Sequence, residues 1–124
     1  MADALRVERV DFITIPTRDE QRARDFYHET LGLPLDPNNP AEITTPNVTL
    51  VFWNPESDDL EFHPTMDGIA LGVPDVDAAR AELEAKGVEF THPTWDTGVC
   101  HMAFLKDPDG NDVILHRRYA PHAS

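Results

Sequence analysis

The chain has 124 residues, with 23 Asp and Glu against 10 Lys and Arg and a formal net charge of -13. That length suits one domain able to bury a core without disulfides or a structural metal. The acidity argues against nucleic acid and anionic membrane surfaces as partners, since binding to them rests on Lys and Arg displacing counterions.

A single cysteine, Cys100, the absence of a basic-then-apolar leader, and no run approaching the ~20 apolar residues of a membrane span lead to the expectation of a cytoplasmic protein. Asn47-Val48-Thr49 is then a chance sequon match. The plain reading of the negative charge is solubility; the sharper one is attraction of a cationic small molecule.

From Val7 to Pro16, "VERVDFITIP" alternates like a strand with two unlike faces, residues 10, 12 and 14 on one and 11, 13 and 15 on the other. Thr17 to Glu20 fits the capping box T-x-x-E, and Ala23, Phe26, Tyr27 and Leu31 follow at helical spacing. Gly32 suits the position just past a helix end, and Pro34 blocks continuation. After a turn-rich break from Pro37 to Pro40, "AEITTP" and "NVTLVFW" read as strands, with room for a short one at Leu33 to Leu35. The polar stretch "NPESDDLEFHPTM" reads as a connector.

The second half repeats this order. "GIALGVP" reads as a strand, Asp75 as an N-cap, and Val76, Ala79 and Leu83 as the buried stripe of a helix with a Glu82/Lys86 pair and Gly87 at its end. "VEFTHPTW", "VCHMAFL" and "DVILHRRY" supply three further strands. Placing Asp19 over Asp75 also places Ala23-Arg24 over Ala79-Arg80, a weak internal repeat. The expected fold is α+β: one domain over 1–124, with a first βαβββ module at about 7–54, a connector at 55–66 and a second module at about 67–119.

"RDEQRARDFYHETLGLPL", "VPDVDAARAELEAKGVEF" and "FLKDPDGN" together resemble the vicinal oxygen chelate superfamily, of glyoxalase, bleomycin resistance protein and dioxygenase type. The likeness runs from about Val7 to Tyr119. It implies that the sheets of the two modules form an open, U-shaped β-barrel around a ligand, often in a homodimer. Enzymes of that family hold a divalent metal through a His or Gln on the first strand of a module and a Glu after the DPDGN turn. Carried across residue by residue, those positions are Phe12, Gly68 and Ile114 here, and none offers a donor. The resemblance thus implies no cofactor at the usual metal site; His63, His101 and His116 are the only alternative set that the sequence suggests.

Alternation places Phe12, Thr14, Thr49, Val51 and Trp53 on the inner face of the first module. With the family's register pairing Phe104 and Ile114, Cys100, Met102, Phe104, Ile114 and His116 line the second. Gly68, Ala70 and Gly72 remove volume from one wall. Such a lining suits an aromatic small molecule, with Trp53 placed to stack on it and His116 to hydrogen-bond it or act as a base. The competing reading makes Val51 and Ile114 core filler, His116 a structural histidine and Cys100 an inert buried thiol. Asp107 to Asn111 reads as turn chemistry, and Glu56, Asp58, Asp59 and Glu61 as a solvated run. The functional expectation is a metal-free binder of an aromatic natural product or antibiotic, with a cationic one favoured by the charge. The alternative is an enzyme of the same family, a lyase, an isomerase or a dioxygenase-like protein, using His116 or a displaced metal.

Overall fold

The computed structural model describes residues 5–66 and 68–121; Asp67, where the second module is expected to open, lies outside them. Strand β1 (Phe12–Pro16) leads into helix α1 (Glu20–Asp25), which continues as a π-helical turn over Phe26–Thr30. Strands β2 (Leu35–Asp36), β3 (Asn39–Thr44) and β4 (Thr49–Trp53) complete one sheet in the order β1-β4-β3-β2. A 3-10 turn at Pro55–Asp58 opens the connector. The second half then gives β5 (Ile69–Gly72), α2 (Val76–Ala85), β6 (Trp95–Asp96), β7 (Cys100–Lys106) and β8 (Asp112–Arg118), with sheet order β5-β8-β7-β6. The α+β architecture of two βαβββ modules is the one the repeat implies. The sheets stay open, and among the described residues β1 is bonded only to β4 and β5 only to β8.

Local chemistry accounts for most element ends. Asp19 and Asp75 both cap their helices, accepting the amides of Arg22 and Ala78 at 3.0 Å. Gly32 and Gly87 follow the helices at positive φ, +80° and +91°, where a side chain would be strained.

Four expectations are corrected. The capping box fails because Asp19, two residues closer to the helix, already serves the first turn; Thr17 instead accepts the Asp19 amide and turns its hydroxyl to Asp109. Strand β1 starts only at Phe12, because β4 begins at Thr49 opposite it and offers no backbone to Val7–Asp11. "VEFTHPTW" collapses to a single bridge between Phe90 and Leu105 plus the two residues of β6, with His92-Pro93 interrupting it. Glu82 and Lys86 do not pair: the helix carries an Arg80–Glu84 pair, and Lys86 donates to the Thr30 carbonyl.

One core joins the modules. Ile15, Ile43, Leu50 and Phe52 pack with Ala23 and Tyr27, and are continuous with Leu105, Val113, Leu115 and the Val76 and Leu83 face of α2. The Asp107–Asn111 turn locks this contact. Asn111 donates to the Pro16 carbonyl at 2.8 Å and accepts the Thr65 amide at 2.7 Å, so one side chain ties the end of β1 and the end of the connector to the second hairpin. Asp109 accepts from Thr17, the Arg18 amide and Arg22 at 2.6, 3.0 and 2.7 Å. The segment read as turn chemistry alone is also the clamp between modules.

Tyr27 belongs to the same clamp, donating to Asp107 at 2.9 Å from a buried position. Burial, and then the negative charge of Asp107, push its hydroxyl pKa far above the ordinary 10.0. The folded chain therefore keeps a proton that the unfolded chain releases above pH ~10, and stability present below that pH is lost as pH rises. Between pH 10 and 11, wild type is expected to lose about 1 kcal/mol more unfolding free energy than Tyr27→Phe, read from urea melts of both proteins.

Candidate functional site

The parallel register of β1 and β4 sets Phe12 beside Thr49, Thr14 beside Val51 and Pro16 beside Trp53. Ile15, Leu50 and Phe52 turn into the core, so Phe12, Thr14, Thr49, Val51 and Trp53 share the opposite, open face. Phe12 is 51% exposed and Trp53 36%. Beside them lies a recess of about 300 Å³ between Thr14, Trp53, Pro55 and His63.

The second sheet has the same plan. Phe104 pairs with Ile114, Met102 with His116 and Cys100 with Arg118, while Ala103, Leu105, Val113 and Leu115 fill the core. The open face thus carries Cys100, Met102, Phe104, Ile114 and His116, as the sequence implies. A recess of about 300 Å³ reaches Gly68, His92, Phe104 and Ile114.

The ten residues do not meet in one cavity within the chain. The two recesses share no lining residue. A larger cleft of about 690 Å³ lies where the core sides of the two sheets converge, between Ile13 and Leu50 on one and Ile69 and Leu71 on the other. The faces bearing the ten residues are turned away from it. The U-shaped lining is therefore present as two halves.

The glycines of β5 also divide. A Cβ on Gly68 would come 3.0 Å from Ile114 Cγ1, so that gap is already filled by Ile114. A Cβ on Gly72 would meet nothing within 4 Å, and Gly72 lies directly beside His116. Only the Gly72 end of this wall is open.

Donor chemistry at the metal positions is absent in space as well as in sequence. Phe12 and Ile114 present hydrocarbon, and Ile114 lies over Gly68, where the third ligand would stand. The alternative histidines go elsewhere: His63 lies 3.6 Å from Glu61, His101 lies 3.5 Å from Asp96 and stacks on Tyr119, and His116 is on the other face of the sheet. Among the described residues no three His, Cys, Asp or Glu side chains gather to hold a metal. The residues present do not fit the family's metal.

The acidic run is mostly engaged within the chain. Asp58 accepts the Trp53 indole N–H at 2.7 Å, fixing the ring, and Glu56 faces Arg18 at 3.5 Å. Cys100 is buried with its Sγ 3.1 Å from the Thr97 hydroxyl, which leaves it no base. On the outer side of the second module, hydrogen bonds from Tyr119 and the Gly98 amide hold the Asp96 carboxyl below the usual range.

Two features escaped the sequence reading. Arg118 extends the open face of β8 by one more alternation beyond His116, a step that strand parity alone predicts. Phe62, in the connector, is buried beneath the Arg18 guanidinium, 4.4 Å from its ring centre.

The Glyoxalase/Bleomycin resistance protein/Dioxygenase superfamily profile matches residues 9–115. The chain belongs to that superfamily. No curated protein matches it. Among solved structures, a superfamily member from Sphaerobacter thermophilus DSM 20745 is 30% identical, covering 89% of this chain and 97% of its own, with a TM-score of 0.74. TnmS3, an antibiotic binding protein from Streptomyces sp. CB03234, is 27% identical over 92% of this chain and 98% of its own, with a TM-score of 0.75. A lactoylglutathione lyase from Agrobacterium tumefaciens shares the fold, at 17% identity over 90% and 94% of the chains and a TM-score of 0.71. The same fold thus carries a protein named an antibiotic binder and one named a lyase, so fold alone does not separate the two chemistries. Among the described residues no helix is long and apolar enough to cross a membrane.

Proposed function

We propose that this superfamily member is a binding protein of the cytoplasm that sequesters an aromatic natural product or antibiotic without metal or chemistry. The observation that carries the reading is the replacement of the metal positions by mutually packed hydrocarbon, Ile114 over Gly68, while Phe12 and Trp53 stay exposed on an open sheet face. The same sites lose Lewis acid and gain stacking surface. Likeness to an antibiotic binding protein over nearly the whole of both chains supports it.

The binding unit is a homodimer. Among the described residues strands β1 and β5 each keep one edge without a partner, and a second copy, related by a two-fold axis, can set β1 of one chain against β5 of the other. That pairing apposes the Phe12 and Trp53 face of one copy to the Phe104, Ile114 and His116 face of its partner, closing the two half-linings around one ligand.

Titration with a tricyclic aromatic probe is expected to quench tryptophan fluorescence saturably, with the probe recovered unaltered by mass spectrometry. Trp53→Ala should weaken binding by about 2 kcal/mol, roughly thirtyfold, through lost stacking and burial. Recovery of a transformed probe, with turnover abolished in His116→Ala while affinity persists, would sink the binding reading and establish the enzymatic one.

A further inference from the structure

Arg118 marks the polar end of the second half-lining, and the inference drawn from it rests on the binding function proposed above. By register it stands opposite Cys100, on the face that carries His116 and Ile114. Among the described residues its buried Nε has no hydrogen-bond partner, and its Nη2 makes one bond, to the Pro121 carbonyl at 3.3 Å. No carboxylate lies within ion-pair distance of it among the described residues, in a chain with 23 acidic residues against 10 basic ones.

A buried guanidinium donor left unsatisfied is costly, because it gives up water without a replacement. In a protein so rich in carboxylates, such a group is readily paired from within. His116, two residues away on the same face, adds a second nitrogen donor or acceptor, and the space beside it is the open one at Gly72. Two nitrogen groups beside the open part of an otherwise apolar wall define a place for a ligand oxygen.

We infer that Arg118, with His116, is an anchor for an acidic oxygen, a carboxylate or an ionised phenol, on the aromatic ligand. A guanidinium presents paired N–H groups to such an oxygen and holds it by charge-assisted hydrogen bonds. Specificity then opposes the overall field: a chain of charge -13 draws cationic molecules at long range, yet the site itself selects an anion. The stacking partner is supplied by Phe12 and Trp53 of the facing half.

Three probes of one shape separate these forces: anthracene-9-carboxylate, 9-anthracenemethanol and 9-(aminomethyl)anthracene, titrated into the full chain at physiological salt. The carboxylate is expected to bind at least about tenfold tighter than the alcohol and the ammonium compound weakest. Arg118→Met should bring the carboxylate down to the level of the alcohol without changing the alcohol's affinity, Arg118→Lys should keep part of the preference, and Arg117→Met, on the exposed opposite face, should keep all of it. Equal binding of carboxylate and alcohol by wild type overturns the anchor and leaves the binding function standing. So does a preference for the ammonium compound, or a preference that survives Arg118→Met. Absence of binding by all three overturns both readings. The wild-type comparison needs no variant to fold, and circular dichroism of each variant checks that loss of preference is not loss of structure.

Discussion

Replacing Asp107 by Ala is expected to remove about 4 kcal/mol of unfolding free energy, the largest stability loss of any single substitution in the turn. Its carboxylate, 5% exposed, accepts the Tyr27 hydroxyl, the Asn111 side-chain amide and the backbone amides of Asp109 and Asn111, all at 2.8 to 2.9 Å. Alanine leaves those donors buried, each at a cost of about 1 to 3 kcal/mol that water entry only partly offsets. Asp107→Asn separates this from a local turn effect. Its carbonyl oxygen can keep the two backbone amides, but its NH2 then faces the Asn111 NH2 and obliges the Tyr27 hydroxyl to turn round and accept. A loss of about 2 kcal/mol is expected. Urea unfolding followed by circular dichroism measures both. Were Asp107→Ala within 1 kcal/mol of wild type, the turn would be only a connection, and the hydrophobic core alone would hold the modules. For a domain whose total stability is of order 5 to 15 kcal/mol, the expected loss is large enough to be unmistakable.

The turn also shows where sequence reasoning stops. Pro108 and Gly110 announce a tight reversal, and the register implied by the family resemblance pairs Phe104 with Ile114, as the structure does. What Asp107 and Asn111 bond to cannot be read locally, because Tyr27 and Pro16 lie 80 and 95 residues away. The misread capping box has a similar cause: Thr17 and Asp19 are both good N-caps, and only the internal repeat, which aligns Asp19 with the cap Asp75, favours the right one. On β1, β4, β7 and β8 the faces are legible, since a strand's period of two fixes them once one buried residue is known. Whether two such faces look at each other depends on how the modules pack. Here the packing is set by core residues common to both, Tyr27, Leu105 and Val113 among them, and no local pattern encodes that. Gly68 carried a further ambiguity. Missing side-chain volume in a sequence can mean a cavity or a neighbour that fills it, and Ile114 fills this one.

That separation of the half-linings makes the oligomeric state the decisive property of the site, and Ile13→Lys is the substitution expected to change it most. Ile13 lies on the free edge strand β1, borders the large cleft with Ile69 and Leu71, and is 36% exposed in the single chain. In one chain a lysine there can extend its ammonium to water at little cost. In the proposed dimer it would be buried against β5 of the partner at both equivalent contacts, without a partner for its charge, and the penalty is several kcal/mol per pair of chains. Light scattering on eluting protein should therefore give a mass near twice 13.9 kDa for wild type and near 13.9 kDa for Ile13→Lys, with circular dichroism unchanged. Probe quenching should fall with the mass, although Trp53, Phe104 and His116 are all intact, because each recess of about 300 Å³ alone is small for a tricyclic ring system. A wild-type protein that elutes as a single chain at micromolar concentration and still binds the probe would sink the composite cavity. The ligand would then be held by one face alone, and Trp53→Ala and Arg118→Met, on opposite halves, could not both weaken the same complex.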